Sequence, residues 1–441
     1  MPTATPLAYD HSLMLASQVG TAGLPDSELP ALKRRLAEVR TALAEQKRSG
    51  RVGFFGIPER QAEIRAAVSL AKSIRREFRT LLVLGIGGSD LGARALLKAL
   101  QKRGKGMEVL FAGGNTDPEE LAELLGTLDL KRTAVNVISK SGDTVEPMSA
   151  FLILRDRLIA KVGRQKHARH IICTTDEKSG ALRTIADREG YRTLPVPRDI
   201  GGRYSALTAV GLFPAACAGI DPKRLVAGAD AVMRDFFAGT GTPAPLLFAG
   251  LMHDAYVRRG QHLTVLMPYA EALREFAFWF RQLWAESLGK THDRHDNAIH
   301  VGLTPIAALG ATDQHSQIQL YNEGPFDKTV TFIAVRKFRA DLRVPKAFKD
   351  LPGVASLGGH QMSYLIHAER AATARGLAEH GRPSGTIALS AITPESIGGL
   401  MMFFMLATAA AAELFDINAY DQPGVEAGKQ AMNAVLGHKA S

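Results

Sequence analysis

The sequence predicts an α/β protein: two doubly wound parallel-sheet domains flanked by helices, with a helical N-terminal arm and a helical C-terminal tail. Three observations lead there. The 441 residues exceed one ordinary core and correspond to roughly two to three domains. Short apolar runs alternate with helical stretches, the pattern of parallel strands covered by helices. That alternation starts afresh after Gly239-Thr240-Gly241-Thr242-Pro243, a run rich in glycine and breakers. The expected division is therefore an arm over 1–50, a first domain over 51–238, a second over 239–400 and a tail over 401–441.

Each element has its own signal. From Ser27 to Lys47, apolar residues recur at helical spacing between charges, which predicts an amphipathic helix. Thr80–Leu84, Val109–Ala112, Thr133–Ile138 and Ile171–Thr174 read as strands, with helices expected from Leu91 and over Val145–Ala160. In the second half the expected strands are Leu263–Met267, Ala307–Leu309, Thr329–Val335 and Thr386–Ser390. The longest uncharged run, Ile397 to Ala412, falls short of the ~20 residues of a membrane span and reads as a buried helix. Thr393 is positioned to cap it, with Pro394 at its first turn.

Composition narrows the class. Apolar residues make up 46% and charged residues 22%, as in ordinary globular proteins. The N-terminus has no basic stretch followed by an apolar core, so no signal peptide is expected. Cys173 and Cys217 are the two cysteines, without a CxxC partner, which points to a reducing, cytoplasmic setting. The formal charge of +10 suits anionic small molecules or nucleic acid. The basic residues are scattered along the chain and no nucleic-acid motif is present, so neither a nucleic-acid nor a membrane partner is expected.

Several segments can carry chemistry. Gly85-Ile86-Gly87-Gly88-Ser89-Asp90 follows a strand and opens a helix, where free N–H groups can receive an anion or a sugar hydroxyl. Asp90 stands at the third glycine of a dinucleotide fingerprint, which weakens that reading; glycines serving a tight turn are the plain alternative. Ser139-Lys140-Ser141-Gly142-Asp143-Thr144 occupies a similar turn and offers three hydroxyls and an ammonium to a phosphate. A capped helix start explains it equally, and Asp143 argues against a cradle unless it points away. Asp199-Ile200-Gly201-Gly202-Arg203-Tyr204-Ser205 follows two glycines with an arginine that can face a developing oxyanion or merely pair with a carboxylate.

Gln282 and Glu286 share one face of the predicted helix Glu271–Ser287, bordering a stripe of Phe276, Trp279, Phe280 and Leu283. A carboxylate there is a candidate general base, or a partly exposed surface glutamate. His315, after Thr312-Asp313-Gln314, is a candidate proton carrier, although a lone histidine is more often structural. His292-Asp293-Arg294-His295-Asp296 lacks metal-ligand spacing, and no metal is assigned. Tyr420-Asp421-Gln422-Pro423-Gly424-Val425-Glu426-Ala427-Gly428-Lys429 makes a turn and starts a helix with Lys429 about one turn in.

Read in order, these segments resemble the phosphoglucose isomerase (glucose-6-phosphate isomerase) family over roughly residues 50–435. Gly-Gly-Arg-Tyr-Ser at 201–205 and the stretch 420–429 are similar to its two diagnostic signatures, and Glu286-Ser287-Leu288-Gly289-Lys290 to a third landmark. The resemblance implies two sugar-isomerase (SIS) domains and reversible conversion of glucose 6-phosphate to fructose 6-phosphate, without metal or organic cofactor. It implies Glu286 as the base that moves a proton between C2 and C1 and Arg203 as the cation steadying the enediolate. His315 and Lys429 resemble the ring-opening groups. Ser139, Lys140, Ser141 and Thr144 resemble the phosphate site; Gly88 and Ser89 line the sugar pocket, and Gln282 stands beside the base. A homodimer is implied, with His315 reaching the site across the interface. Two departures stand out: Asp143 replaces a hydroxyl residue, and Leu288 replaces an asparagine. The competing readings are an isomerase that also accepts mannose 6-phosphate and a non-catalytic SIS regulator.

Overall fold

The computed structural model describes residues 7–102, 104–239, 241–435 and 437; for Ala427, Lys429, Gln430 and Asn433 it describes the backbone alone. Strand β1 (Leu7–Asp10) comes first, ahead of helix Leu29–Ser49, which buries Leu36, Val39 and Leu43 and stops at Gly50 in the left-handed conformation. The arm is thus not purely helical. β1 joins the edge of the second sheet, a pairing that four residues of sequence cannot announce.

The first sheet contains β2 (Thr80–Leu84), β3 (Glu108–Ala112), β4 (Thr133–Ile138), β5 (Ile171–Thr175) and β6 (Arg192–Pro195). All pairings are parallel and the order is β3-β2-β4-β5-β6. β6 was not expected: its short run mixes an arginine, a threonine and a proline, tolerable only at an edge. The second half continues with β7 (Leu263–Pro268), a hairpin of β8 (Lys290–His292) and β9 (Ala298–Val301), then β10 (Thr304–Ala307), β11 (Lys328–Lys337) and β12 (Ser384–Ala391). The second sheet runs β1-β12-β11-β7-β10, parallel apart from β1. The strand expected at Ala307–Leu309 lies three residues earlier, because Pro305 is accommodated on the edge strand.

Both sheets share one winding. The first parallel strand of each, β2 or β7, has the second parallel strand on one side and the third on the other. Where the strand order reverses, the outgoing loops separate and leave a crevice at the carboxyl ends of the strands. In the first sheet that crevice receives the loops after β2 and β4, which are the two glycine- and serine-rich turns.

The apolar run near the C-terminus forms the 22-residue helix Pro394–Phe415, with Thr393 and Ser396 in a reciprocal capping box. It packs against helices Pro222–Phe237 and Ala244–Arg259 and lies almost wholly inside the protein. The boundary expected at 400/401 falls within this continuous helix. Two glycines let the helices cross closely: a Cβ on Gly228 would sit 1.9 Å from the Glu395 carbonyl oxygen, and one on Gly398 1.9 Å from that of Leu225. Gly228→Ala is expected to lower the urea midpoint more than Thr393→Ala, about 1–3 kcal/mol of overpacking against about 1 kcal/mol for a lost cap. Equal midpoints for Gly228→Ala and the parent would refute the close crossing.

Candidate active site

Three segments converge where the first sheet meets helix Arg274–Leu288. The turn after β2 presses on the 201–203 loop so tightly that a Cβ on Gly88 would lie 2.2 Å from the Gly202 carbonyl carbon. Gly87, at φ +57°, faces the Gln282 amide. Ser205 Oγ donates to the Gly202 carbonyl at 2.7 Å and anchors the loop from below. The helix then supplies Gln282 and Glu286 from its last two turns, as i,i+4 spacing requires.

Arg203 is the hub. It is only 3% exposed, yet its guanidinium is extensively paired. Nε donates to Ser287 Oγ at 2.8 Å and Nη1 to Gln422 Oε1 at 2.8 Å. Nη2 donates to the carbonyls of Ala419 (2.6 Å) and Asp421 (2.9 Å). Nη1 also lies 3.4 Å from Glu286 Oε2, a looser contact. The Glu286 side chain is 33% exposed, and Gln282 Nε2 donates to its Oε1 at 3.0 Å. Gln282 Oε1 is buried without a hydrogen-bond partner.

Lys290 was absent from the expected roles. Its ammonium donates to the carbonyls of Glu286 (2.7 Å), Ser287 (3.1 Å) and Asp421 (3.2 Å), capping the end of the helix that carries the carboxylate. Burial, together with the Arg203 charge, lowers its pKa from the ordinary lysine value. Its place in Glu286-Ser287-Leu288-Gly289-Lys290 was the available signal; its buried geometry was not.

The turn after β4 lies beside the turn after β2, because the two strands are paired in parallel. Ser139 Oγ and Thr144 Oγ1 share a hydrogen bond at 3.2 Å, and Ser139 Oγ accepts from the Gly142 N–H at 2.9 Å. Lys140 Nζ donates to the Arg198 carbonyl at 2.8 Å, so the chain leading to Arg203 is tied to this turn. Partial burial lowers the Lys140 pKa, opposed by Asp176 and Asp199. Asp143 accepts a hydrogen bond from Ser141 Oγ, so Asp143 engages one of the hydroxyls expected at the phosphate.

This chain matches the family model described as phosphoglucose isomerase over residues 64–441. It is 40% identical over 440 residues to a glucose-6-phosphate isomerase from Rubrobacter xylanophilus, covering 98% of each chain. It is 39% identical to one from Carboxydothermus hydrogenoformans, covering 94% of this chain and 91% of that one. A solved structure of a hypothetical protein from Thermus thermophilus superposes at TM-score 0.88 with 34% identity, over 98% of this chain and 99% of that one. The chain belongs to the phosphoglucose isomerase family. Its two sheets are those of the family's sugar-isomerase domains, and its activity is the aldose–ketose isomerisation of glucose 6-phosphate and fructose 6-phosphate.

The two stretches most similar to the family signatures touch one another through Arg203, since 201–205 donates to 419–422. Leu288, one of the two departures noted in the sequence, is fully buried in the hydrophobic core. Asp90 is buried and pairs with Arg94 Nε at 2.6 Å; burial raises its pKa against the opposing Arg94 charge. The 292–296 cluster is a hairpin tip: Asp293 accepts from the N–H groups of His295 and Asn297, and Arg294 pairs with Glu413.

His315 ends a short 3₁₀ turn, Thr312–His315, and is exposed. Among the described residues it has no hydrogen bond to the Arg203–Glu286 group. The nearby Asp313 acts on Arg274, at the start of the helix whose far end carries Glu286, about 18 Å away along the axis. Lys429 lies in helix Glu426–Val435, and its side chain is outside the described residues. Arg203→Lys, which cannot span the paired acceptors, is expected to speed amide exchange across 418–425 while leaving β2 and β4 protected. Unchanged exchange in 418–425 would show that Arg203 does not hold that segment.

Proposed function

We propose that Glu286 is the base that carries the proton in this isomerisation. It takes the C2 proton of the open-chain aldose, the released electron pair closes the C1–C2 double bond, and negative charge falls on O1 of a cis-enediolate. Glu286 returns the proton to C1 while the O2–H bond breaks to form the C2 carbonyl and its proton passes to O1, giving the ketose. The supporting observation is the divided environment of its carboxylate. Gln282 holds Oε1, while Oε2 faces Arg203 across a loose contact that substrate oxygens can displace.

Arg203 steadies the enediolate charge from a site where water is largely excluded, so its field counts for more than it would in solvent. Ser139, Lys140, Ser141 and Thr144 receive the phosphate at the turn after β4, and Gly88 and Ser89 line the sugar pocket. Phosphate binding supplies remote energy that fixes the reacting carbons against Glu286. His315 and Lys429 open the ring by proton transfer. The working unit is a homodimer in which His315 serves its partner's site. Its exposure supports this, as do the large apolar side chains Leu342, Phe348, Leu351 and Tyr364 left in water on a single segment. A cytoplasmic setting is supported by two free, buried thiols, with burial pushing Cys173 up to about 12.

Glu286→Gln is expected to abolish isomerisation and exchange of the C2 proton with deuterated water, with fructose 6-phosphate binding retained. Loss of binding together with folding would make Glu286 structural instead. His315→Ala should slow the closed-ring sugar more than a pre-opened analogue. Mixing Glu286→Gln and His315→Ala proteins after dissociation should restore up to about a quarter of wild-type activity, because half of the dimers then hold one intact site. No recovery in verified mixed dimers would refute a shared site.

A further inference from the structure

The basic residues that look dispersed in sequence gather on one side of the first domain. Parallel strands all begin at the same edge, so the residues just before them line up. Arg79 precedes β2, Arg132 precedes β4, Arg169 lies two residues before β5, and Arg192 opens β6. Neighbouring strands are about 4.8 Å apart, which makes a row of cations across the sheet.

Two adjoining cavities deepen that row. One of about 570 Å³ is lined by Lys131, Lys161, Lys166 and Arg169. The next, about 390 Å³, is lined by Arg75, Arg76, Arg79 and Arg132. Both share Glu77 and Phe78. Glu77 is the carboxylate lining them, and it is engaged by Arg169 at 3.1 Å. A third cavity of about 670 Å³ shares Gly106 and Met107 with the second and sets Arg94, Lys98, Lys102 and Lys105 against Glu108 and Glu275. The depressions therefore adjoin one another in a single run, a shallow channel along this edge. Phe78 and His170 in the first two cavities are buried, and the half-buried Phe111 in the third has the Arg94 guanidinium 4.5 Å over its ring, which leaves little open ring face for a base to stack on.

We propose that this channel binds a linear chain of phosphates, inorganic polyphosphate in chemical class, at a site separate from catalysis. The charge excess selects a polyanion, the continuity selects an extended one, and the scarcity of stacking surfaces selects bare phosphates over a nucleic acid. The catalytic group lies at the opposite, carboxyl ends of the same strands, about 17–20 Å away across the sheet. A face carrying this many like charges also repels a second copy of itself, so it stays open in a symmetric dimer.

The test is calorimetric titration of the full-length protein with medium-chain inorganic polyphosphate, with and without saturating fructose 6-phosphate. Binding should persist with the sugar phosphate present and weaken at least tenfold between about 50 and 200 mM salt. The double variant Arg79→Glu/Arg132→Glu should lose at least tenfold in affinity with isomerase activity intact, and Arg75→Ala/Arg76→Ala should lose less. Displacement by fructose 6-phosphate would assign the anion to the active site and overturn the proposal. Wild-type affinity in both variants would also overturn it, as would equal or tighter binding of single-stranded DNA of matched charge.

Discussion

The structure around the reaction centre depends on satisfying one buried guanidinium. An arginine taken out of water is costly unless its donors find acceptors. Arg203 finds them on the helix that bears Glu286, through Ser287, and on the chain past the last core helix, through Ala419, Asp421 and Gln422. The first sheet's loop, the second half's helix and the C-terminal segment are thereby held to a single geometry. Because the hard acceptors are carbonyls and neutral side chains, the charge is not cancelled and remains available to the site.

Lys290 adds a second buried cation to the same place. It draws together the terminal carbonyls of the Glu286 helix and the Asp421 carbonyl, so the two cations brace one carboxylate-bearing helix end from two sides. Close backbone approach makes this possible. Gly88 meets Gly202 at a distance no side chain would allow, and the turn after β2 can then abut the arginine loop. The winding of the sheet does the rest, since the crevice at the strand reversal brings the turns after β2 and β4 to one mouth.

The same parallel architecture that collects loops at the carboxyl ends collects strand starts at the other edge. One end thus gathers glycine, serine and a carboxylate, and the other gathers arginine and lysine. Buried, paired cations such as Arg203 and Lys290 sit at the first end, and a row of arginines and lysines at the strand starts sits at the other.

Much was legible in the chain itself. Periodicity marked most central strands of both sheets and the long apolar helix with its Thr393 cap, because those depend on local spacing and end chemistry. The i,i+4 pair Gln282 and Glu286 was readable for the same reason, and similarity to known signatures singled out Arg203 and the 420–429 stretch. Among the edge strands β3 was readable, whereas β1 and β6 were not and β10 was read three residues late: these three carry proline, arginine or too few residues, and their partners make them strands. The role of Lys290, the capture of Ser141 by Asp143 and the inward turn of Leu288 rest on which atoms meet across more than a hundred residues or around a single turn. So does the cationic edge, whose members lie far apart in sequence and adjoin only because parallel strands start side by side. Spacing along a chain encodes local structure; which charges share a surface is settled by the packing of the whole.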